Sequence, residues 1–369
     1  MSADKKNIEE PGLRNTIKED FYEDSLFKNF YRDIKELKEF YISAEKKKRL
    51  EKMNPFKRAL FLTWWILKGL ILKLTPTRRF LLLIGIILIL VSGNFEITSS
   101  DADVKIAMSR ALIGGALLIV VLMLELKDKL LARDELEAGR KIQQALMPQQ
   151  NPTAEGWNVW LYSRSANEVC GDLVDFLKID EKRSGIFMAD VAGKGLNAAL
   201  LTTKLQATIR ALAPDYDTID LITKVNSIFY RENLRNIFAS LIYFELTHGK
   251  NEIKIVNAGH YPPYHCRGNG IKEYAKGNIA LGLMKNAVYN EVIAETESGD
   301  VILAYSDGVS EARDRTGDFF GNARLSNLLC SISSKSADDI GKEIVKAVDD
   351  FIGDVRLHDD MSLIVLKKT

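Results

Sequence analysis

The chain has 369 residues, with 51 Lys and Arg against 50 Asp and Glu, which gives a formal net charge of +1. A dedicated nucleic-acid-binding protein is usually more basic than this chain, so that class is excluded. A fully disordered chain contains fewer hydrophobic residues than the 46% found here, so bulk disorder is excluded as well. The three cysteines, Cys170, Cys266 and Cys330, form no CxxC pair, which argues against a thiolate zinc site or a disulfide scaffold and favours a reducing compartment.

Residues 1–58 form a charged segment that we expect to lie in the cytoplasm. Its first fifteen residues are polar, so we expect no cleavable secretory signal there. Apolar residues recur at three- and four-residue spacings between residues 21 and 53, which predicts a helix. The basic run at residues 46–58 is either a solvated helix face or a segment held near anionic lipid headgroups.

Residues 59–126 are predicted to form a membrane region. Residues 59–75 carry Trp64 and Trp65 but are interrupted by lysines, which favours an interfacial helix over a third full span. The charge-free runs at 80–92 and 111–124 fall short of the ~20 residues that a spanning helix needs. We therefore extend them to transmembrane helices at 80–97 and 106–126, with Arg110 reaching the interface. The alternative is a buried helical hairpin in a soluble core.

The distribution of charge predicts the orientation of these helices. Lys and Arg flank the two apolar runs on their outer sides, and acidic residues predominate in the short loop between them. The positive-inside rule then places both flanks in the cytoplasm and the loop outside, which makes the protein a multi-pass component of the cytoplasmic membrane. The loop is too short to form a ligand-binding domain.

Residues 127–150 are charged and helix-like, and Pro148 ends the pattern. We interpret them as a stalk that joins the membrane region to the rest of the chain. A short parallel coiled coil would allow a homodimer through the stalk and the transmembrane helices, although the heptads are few. A twist of the stalk would then reposition Asp172 relative to Asp190.

Residues 151–369 are predicted to form one domain of the α+β class. Its β-like runs lie at 157–163, 185–189, 239–246, 253–256, 301–305 and 361–366. Helical patterns lie between them at 196–212, 217–233, 322–332 and 337–352. Because the helices come in pairs instead of alternating with the strands, a layered fold is favoured over a doubly wound parallel sheet.

Acidic residues stand at the ends of three of these runs, and a fourth acidic site lies between the first two runs. Asp190 ends one strand, Asp307 ends another, and the pair Asp359-Asp360 precedes a third. Asp172, with Asp175 three residues later, is the fourth acidic site. A single Asp-Gly after a strand is normally a turn, but four such acidic sites in one domain match the carboxylate ligands that Mg²⁺ or Mn²⁺ prefers.

Other catalytic motifs are missing from the sequence. The Gly193-Lys194-Gly195 turn fails the spacing of a phosphate-binding loop, because Met188 stands where its first glycine belongs and Gly195 where Ser or Thr belongs. There is neither a GxSxG elbow nor an HExxH helix. The carboxylates are therefore the strongest candidates for the chemistry.

Several motifs resemble the bacterial PPM-type (protein phosphatase 2C-like) serine/threonine phosphatases, in the branch related to stage II sporulation protein E that regulates sigma factors. The resemblance covers residues 137–369 and rests on motifs that occur in the family's order. They are Glu137–Pro148, Glu168–Phe176, Ala189–Gly195 with Ala198–Leu201, Asn257–Pro263, Ser306–Ala312 and Asp359–Met361.

This resemblance implies an α-β-β-α sandwich of two antiparallel sheets and two bound Mn²⁺ or Mg²⁺ ions. Asp190 would bridge the ions with help from the Val191 carbonyl, Asp307 and Asp359 would hold one ion, and Asp172 would lie on the other. A metal-bound hydroxide would then attack phosphorus in line without a phosphoenzyme. Cys170 replaces the family's usual glycine, which puts no ligand in doubt.

Three further residues are candidates for a part in the reaction. His260, in the Asn-Ala-Gly-His segment, is either a general acid for the leaving alcohol or a residue that holds its loop by hydrogen bonds, and the second is favoured. His358 is interpreted in the same way. Arg164 lies near the first acidic motif, but its register does not match a phosphate-binding arginine, so it receives no role.

The combined prediction is a membrane-anchored, metal-dependent protein serine/threonine phosphatase. Its expected partners are membrane lipids and a phosphorylated regulatory protein of the anti-sigma-factor antagonist type. The alternative is a catalytically silent, membrane-tethered interaction module of the same fold, for which degenerate acidic motifs would be the sign.

Overall fold

The computed structural model describes residues 46, 49–50, 53–91, 93–98, 105–167, 169–231, 237–268, 270–274 and 277–369. Two compact units divide the chain, residues 1–128 and 129–369. The helix predicted between residues 21 and 53 lies almost entirely outside the described residues, as does most of the loop predicted to face the outside.

The described part of the first unit contains helices and a β-hairpin. Helices α1 (Pro55–Lys73) and α2 (Pro76–Leu90) are followed by strands β1 (Asn94–Thr98) and β2 (Lys105–Ser109), which pair antiparallel. Helix α3 (Arg110–Leu146) begins directly after β2 and continues beyond the boundary between the units. Proline at the start of α1 and of α2 suits a first helical turn, where its missing N–H costs nothing.

Helices α2 and α3 approach closely at two glycines. A Cβ atom at Gly114 would lie 2.6 Å from the carbonyl oxygen of Gly85, so this position needs glycine, whereas a Cβ atom at Gly85 would be tight at 3.1 Å from the Gly114 carbonyl oxygen. Arg78 of α2 also forms ion pairs with Glu125 (2.8 Å) and Asp128 (2.7 Å) of α3. The antiparallel pair is therefore held by close backbone packing and by charge.

The helix bounds predicted for the membrane region are wrong at the hairpin. The predicted helix at 80–97 ends at Leu90, and the predicted helix at 106–126 begins at Arg110, because Asn94–Thr98 and Lys105–Ser109 pair as strands. Within the described residues, none of the helices combines the length and the apolar character that crossing a bilayer requires.

The second unit is a sandwich of two antiparallel sheets. One sheet has the strand order β10-β9-β12-β13-β4-β3, and the other has the order β11-β8-β7-β6-β5. The strand bounds are β3 (Thr153–Ala154), β4 (Trp157–Arg164), β5 (Asp172–Lys178), β6 (Arg183–Val191), β7 (Ala239–Thr247), β8 (Glu252–Ala258), β9 (Tyr264–Arg267), β10 (Gly270–Glu273), β11 (Glu291–Glu295), β12 (Val301–Tyr305) and β13 (Met361–Lys368).

A pair of long helices covers the outer face of each sheet. Helices α4 (Leu196–Leu212) and α5 (Thr218–Arg231) pack on the five-stranded sheet. Helices α7 (Asn322–Ile332) and α8 (Ala337–Ile352) pack on the six-stranded sheet, and a one-turn helix, α6 (Asp307–Ser310), follows β12. The predicted α-β-β-α sandwich is therefore confirmed.

Alternation along the strands builds three buried layers. In β6, Ile186 and Met188 point into the core between the sheets, whereas Phe187 and Ala189 point toward α4 and α5. Strands buried on both faces read as continuous apolar runs, which is why β6, β7 and β13 were predictable. The short strands β9, β10 and β11 lack that signal and were missed.

Candidate active site

Asp172 and Asp190 face each other across neighbouring strands. Asp172 begins β5 and Asp190 stands near the end of β6, and the two are direct partners in the antiparallel register. By alternation, Asp190 lies on the same side of its strand as Ile186 and Met188. Both carboxylates therefore point into the space between the two sheets, at one end of the sandwich.

Asp307 and Asp359 reach the same end from the other sheet. Asp307 lies two residues after the last residue of β12, and Asp359 lies two residues before the first residue of its antiparallel partner β13. Both line a cavity of about 160 Å³ together with Lys194, Glu311, Arg313 and His358. The four predicted aspartates are thus brought together, and we name them the carboxylate cluster.

Burial and mutual repulsion raise the pKa values of three of these carboxyls. The pKa of Asp190 rises to about 6, first because of burial and then because of the charges of Asp307, Asp359 and Asp360. Burial, followed by the charge of Asp190, raises the pKa of Asp172 well above its usual range. The pKa of Asp307 is also raised, by burial and then by Asp359. A bound cation would remove this repulsion.

The donor set fits a hard divalent cation chemically. Asp172 is only 4% exposed, and its Oδ2 atom is buried without a hydrogen-bond partner in the described structure. Carboxylate oxygens of this kind are the ligands that Mg²⁺ and Mn²⁺ prefer. Among the described residues, however, no three His, Cys, Asp or Glu side chains are already close enough to hold an ion.

Val191, the expected carbonyl ligand, is the last residue of β6 and is buried. Its N–H donates to the carbonyl oxygen of Gly171 at 3.4 Å, so β6 is tied to the segment that leads into Asp172. A Cβ atom at Gly171 would lie 3.9 Å from the Val191 carbonyl oxygen. The carbonyl therefore lies beside the loop that precedes Asp172.

Asp360 organises the cluster, whereas the sequence indicated it only as a member of an acidic pair before a strand. Its carboxylate is buried and accepts hydrogen bonds from the N–H groups of Ala166 (2.8 Å), Gly171 (2.5 Å) and Asp172 (3.4 Å). The loop that leads into Asp172 on one sheet is thereby fixed to the start of β13 on the other. The signal in the sequence was the doubled aspartate, whose second member precedes a buried strand.

The segment around Asp307 is fixed to the same point. The Ser306 hydroxyl donates to the carbonyl oxygen of Asp360 at 3.0 Å and accepts from the N–H of Ser362 at 2.9 Å. A Cβ atom at Gly308 would lie 2.0 Å from the Asp360 carbonyl oxygen. Gly308 is therefore required for the close approach of two cluster segments, whereas the Asp-Gly pair alone had indicated only a turn.

Asp175, the neighbour of Asp172 in sequence, belongs to a different part of the fold. It is three residues from Asp172, so alternation places it on the other face of β5, toward α4. Arg210 of α4 donates to both of its oxygens, at 2.7 and 2.6 Å. The acidic site that the sequence indicated at Asp172 and Asp175 is therefore divided, because the buried Asp175 carboxylate is engaged by the half-exposed Arg210.

Arg164 and Cys170 take no part in the cluster either. Arg164 donates to both carboxylate oxygens of Asp349, at 3.1 and 2.5 Å, which engages its guanidinium away from any substrate. Cys170 is buried, and burial raises the pKa of its thiol, so it is not a reactive nucleophile.

The contacts of His260 favour the loop-holding role. Its backbone N–H donates to Asn257 Oδ1 at 2.8 Å, and its ring Nδ1 accepts from the N–H of Tyr261 at 2.6 Å. Burial lowers the pKa of His260 to about 4, so the ring is neutral at pH 7 and is poorly suited to protonate a leaving group. His358 is exposed and lines the cavity beside Asp359.

The end of helix α3 contacts the loop that carries Asp172. The side-chain amide of Gln143 donates to the carbonyl oxygen of Cys170, and its oxygen accepts from the N–H of Cys170, both at 3.1 Å. A second contact joins Gln206 of α4 to the Leu146 carbonyl oxygen at 3.0 Å. The last turn of the predicted stalk is thus hydrogen-bonded two residues from a cluster aspartate.

Comparison with known proteins identifies one family. The sequence profile described as "Stage II sporulation protein E (SpoIIE)" matches residues 180–369, more than half of the chain. The chain is 27% identical over 239 residues to "Phosphoserine phosphatase RsbU" of Bacillus subtilis, which covers 64% of this chain and 70% of that protein. It is 29% identical over 192 residues to "Phosphoserine phosphatase RsbP" of the same organism, which covers 50% of this chain and 47% of that protein.

Solved structures with the same fold are more distant in sequence. The SiaA-PP2C domain of Pseudomonas aeruginosa superposes with a TM-score of 0.57 at 17% identity, and the match covers 65% of this chain and 98% of that domain. The RsbU and RsbW domains of Rv1364c from Mycobacterium tuberculosis give a TM-score of 0.52 at 22% identity, over 60% of this chain and 64% of theirs. These two likenesses establish the sandwich fold.

Proposed function

The chain belongs to the stage II sporulation protein E family of PPM-type serine/threonine phosphatases, and we propose that it dephosphorylates phosphoserine or phosphothreonine on a regulatory protein. The observation that carries this proposal is the carboxylate cluster, in which Asp172 and Asp190 from one sheet meet Asp307 and Asp359 from the other. A silent module of the same fold would not need four aspartates at one end of the sandwich, three of them with raised pKa values. The catalytic alternative is therefore favoured.

We propose that the cluster holds two Mg²⁺ or Mn²⁺ ions. Asp190, with the Val191 carbonyl, would lie between them, Asp307 and Asp359 would hold one, and Asp172 would hold the other. When bound, such ions activate a water molecule and neutralise phosphoryl charge. The buried orphan oxygen of Asp172 and the raised pKa of Asp190 support this assignment.

The chain's own residues would prepare the site for that chemistry. Asp360 holds the N–H groups of the loop before Asp172, so it fixes where that carboxylate can point. Ser306 and Gly308 hold Asp307 against the start of β13. Positioning of this kind lets the carboxylates bind the ions without a large rearrangement. The site then loses little conformational entropy when the ions and the substrate bind.

The proposed substrate is a phosphorylated anti-sigma-factor antagonist. Two of the relatives, RsbU and RsbP, carry the name phosphoserine phosphatase, which supports a phosphoserine substrate for this chain. The chain spans 70% of RsbU but less than half of RsbP.

Attachment to the cytoplasmic membrane stays a prediction, and we propose it for the first unit. Large apolar side chains of α1, α2 and α3 are exposed there, among them Trp64 (60%), Leu90 (76%), Leu112 (72%) and Leu122 (66%). Exposed apolar surface of this extent is typical of contact with lipid or protein. Dimerisation through the stalk is part of the same proposal.

The experiment that tests the function replaces the wild-type gene by Asp190→Asn in its native host and compares phosphoproteins. We expect one small regulatory protein to accumulate in its phosphoserine or phosphothreonine form. Asp215→Asn, which changes an exposed aspartate outside the cluster, is the matched control. Identical phosphoprotein profiles in the three strains would refute the proposed function.

A further inference from the structure

A phosphate monoester that reaches the carboxylate cluster brings negative charge into the cavity, where a cationic side chain on the wall can bind its phosphoryl oxygens. The cavity walls contain three residues that can carry positive charge, Lys194, Arg313 and His358. Arg164 is not available, because both of its terminal nitrogens donate to Asp349.

Lys194 lies beside the carboxylate cluster. Its Nζ atom is 3.5 Å from Oδ2 of Asp359, and its positive charge opposes the rise in the pKa of Asp190. The guanidinium of Arg313, by contrast, lies over the ring of Phe319 at 4.7 Å from its centre. An arginine held on an aromatic face is less free to follow a substrate.

The backbone around Lys194 allows its side chain to change partners. Gly193 and Gly195 both have positive φ angles, +129° and +70°, and an added Cβ would meet no other atom within 4 Å at either position. The lysine therefore stands at the tip of an open turn between β6 and α4. Its side chain is 69% exposed, and that of Asp359 is 51% exposed. An ion pair this exposed contributes little and is readily exchanged for a stronger one.

We propose that Lys194 binds the phosphoryl group of the substrate, exchanging its contact with Asp359 for one with a phosphoryl oxygen. A phosphate monoester is a dianion, so it attracts an ammonium group more strongly than a single carboxylate does. The Gly193-Lys194-Gly195 turn thus contacts phosphate through the lysine side chain, without the spacing of a phosphate-binding loop. This inference rests on the proposed function, because it names a substrate contact of the same site.

The test uses the full chain with Mn²⁺ and two probes, p-nitrophenyl phosphate and inorganic phosphate. For Lys194→Met we expect about a tenfold rise in the KM for p-nitrophenyl phosphate and in the inhibition constant of inorganic phosphate, the effect of one charge-assisted hydrogen bond. kcat should fall by less than KM rises. Lys194→Arg should recover most of the phosphate affinity, because it restores the charge.

The control is Lys224→Met, which removes an exposed lysine of α5 outside the cavity and should leave both constants unchanged. Titration calorimetry of inorganic phosphate measures the same contact without turnover, so the lysine is tested even if the wild type hydrolyses no ester. If the wild type hydrolyses no ester, the proposed function fails, but calorimetry still shows whether Lys194 binds phosphate. Phosphate affinity that is the same in wild type and Lys194→Met, or that falls equally in Lys224→Met, would overturn the inference.

Discussion

At the scale of single residues, the cluster holds carboxyl groups closer together than their charges favour. The pKa of Asp190 rises from its ordinary value near 3.8 to about 6, so the folded protein binds a proton more tightly than the unfolded chain does. Stability then falls as the pH rises from about 4 to about 6, and the whole penalty applies above pH 6. A shift of one pKa unit corresponds to about 1.4 kcal/mol, so the penalty is of the order of 2–3 kcal/mol.

Asp190→Asn should therefore stabilise the metal-free protein. In the presence of chelator at pH 7.5, we expect a melting temperature several degrees above that of the wild type. The difference should grow between pH 4 and pH 6 and stay constant at higher pH. Thermal unfolding monitored by circular dichroism across this range measures it. A variant less stable than wild type at pH 7.5 would contradict the assigned repulsion.

Gly308 provides a second test at this scale. Because a Cβ atom there would lie 2.0 Å from the Asp360 carbonyl oxygen, Gly308→Ala must push the start of β13 away from Asp307. Overpacking of this kind costs about 1–3 kcal/mol, and we expect a comparable loss in unfolding free energy together with a marked loss of phosphatase activity. Denaturant titration and an ester hydrolysis assay check both. Gly270→Ala, at an exposed position without a positive φ where an added Cβ would meet nothing closer than the Arg267 carbonyl oxygen at 3.5 Å, controls for loss of a glycine.

At the scale of elements, the end of α3 is hydrogen-bonded to the segment before β5. Gln143 satisfies both the N–H and the carbonyl group of Cys170, two residues from Asp172. Through this contact, a movement of the end of α3 within the second unit would shift the segment that carries Asp172. The glutamine lies in the Glu137–Pro148 motif, but the sequence alone gave no reason to single it out.

Gln143→Ala should weaken metal binding at the cluster. Leaving buried peptide groups without partners costs about 1–3 kcal/mol, which the loop before Asp172 can relieve by moving. We expect lower Mn²⁺ affinity in titration calorimetry and lower activity at limiting Mn²⁺. Gln144→Ala, one residue away and exposed, should behave as wild type. Equal Mn²⁺ affinity in both variants would mean that α3 does not influence the cluster.

The sequence predicted elements well where each strand or helix carries its own signal. Strand β12 and helices α4, α7 and α8 match their expected bounds, because they combine strong apolar patterns with clear ends. Strand β5 was missed, since its buried Asp172 and Asp175 interrupt the apolar run. The roles of these two aspartates differ because alternation places them on opposite faces of β5. The sequence did not reveal this difference, which became clear from the hydrogen bond between Arg210 and Asp175.

At the scale of the whole molecule, the chain divides into two compact units, and the chemistry belongs to the second. The first unit departs from its predicted helix bounds because residues 94–98 and 105–109 pair as strands. Hydropathy along the chain could not anticipate that pairing, since it measures apolar content and not partners. The contribution of Asp360 escaped prediction for the same reason, because its hydrogen-bond partners are almost 200 residues away in sequence.

Separating the units should separate catalysis from membrane attachment. We expect a fragment of residues 129–369 to fold and to hydrolyse p-nitrophenyl phosphate at a rate close to that of the full chain. In flotation with vesicles that contain anionic lipid, the full chain should rise with the vesicles and the fragment should not. If both proteins float to the same extent, or if neither floats, the first unit has no role in membrane attachment.

The central claim is that the four aspartates act together in a metal-dependent phosphatase. The most direct measurement is hydrolysis of p-nitrophenyl phosphate by the purified full chain with Mn²⁺, with excess chelator, and in Asp190→Asn with Asp215→Asn as the control. We predict turnover by the wild type and by Asp215→Asn with Mn²⁺, and a loss of at least about 100-fold on adding chelator or in Asp190→Asn. Turnover by the wild type that survives chelation, together with an active Asp190→Asn variant, would contradict the account.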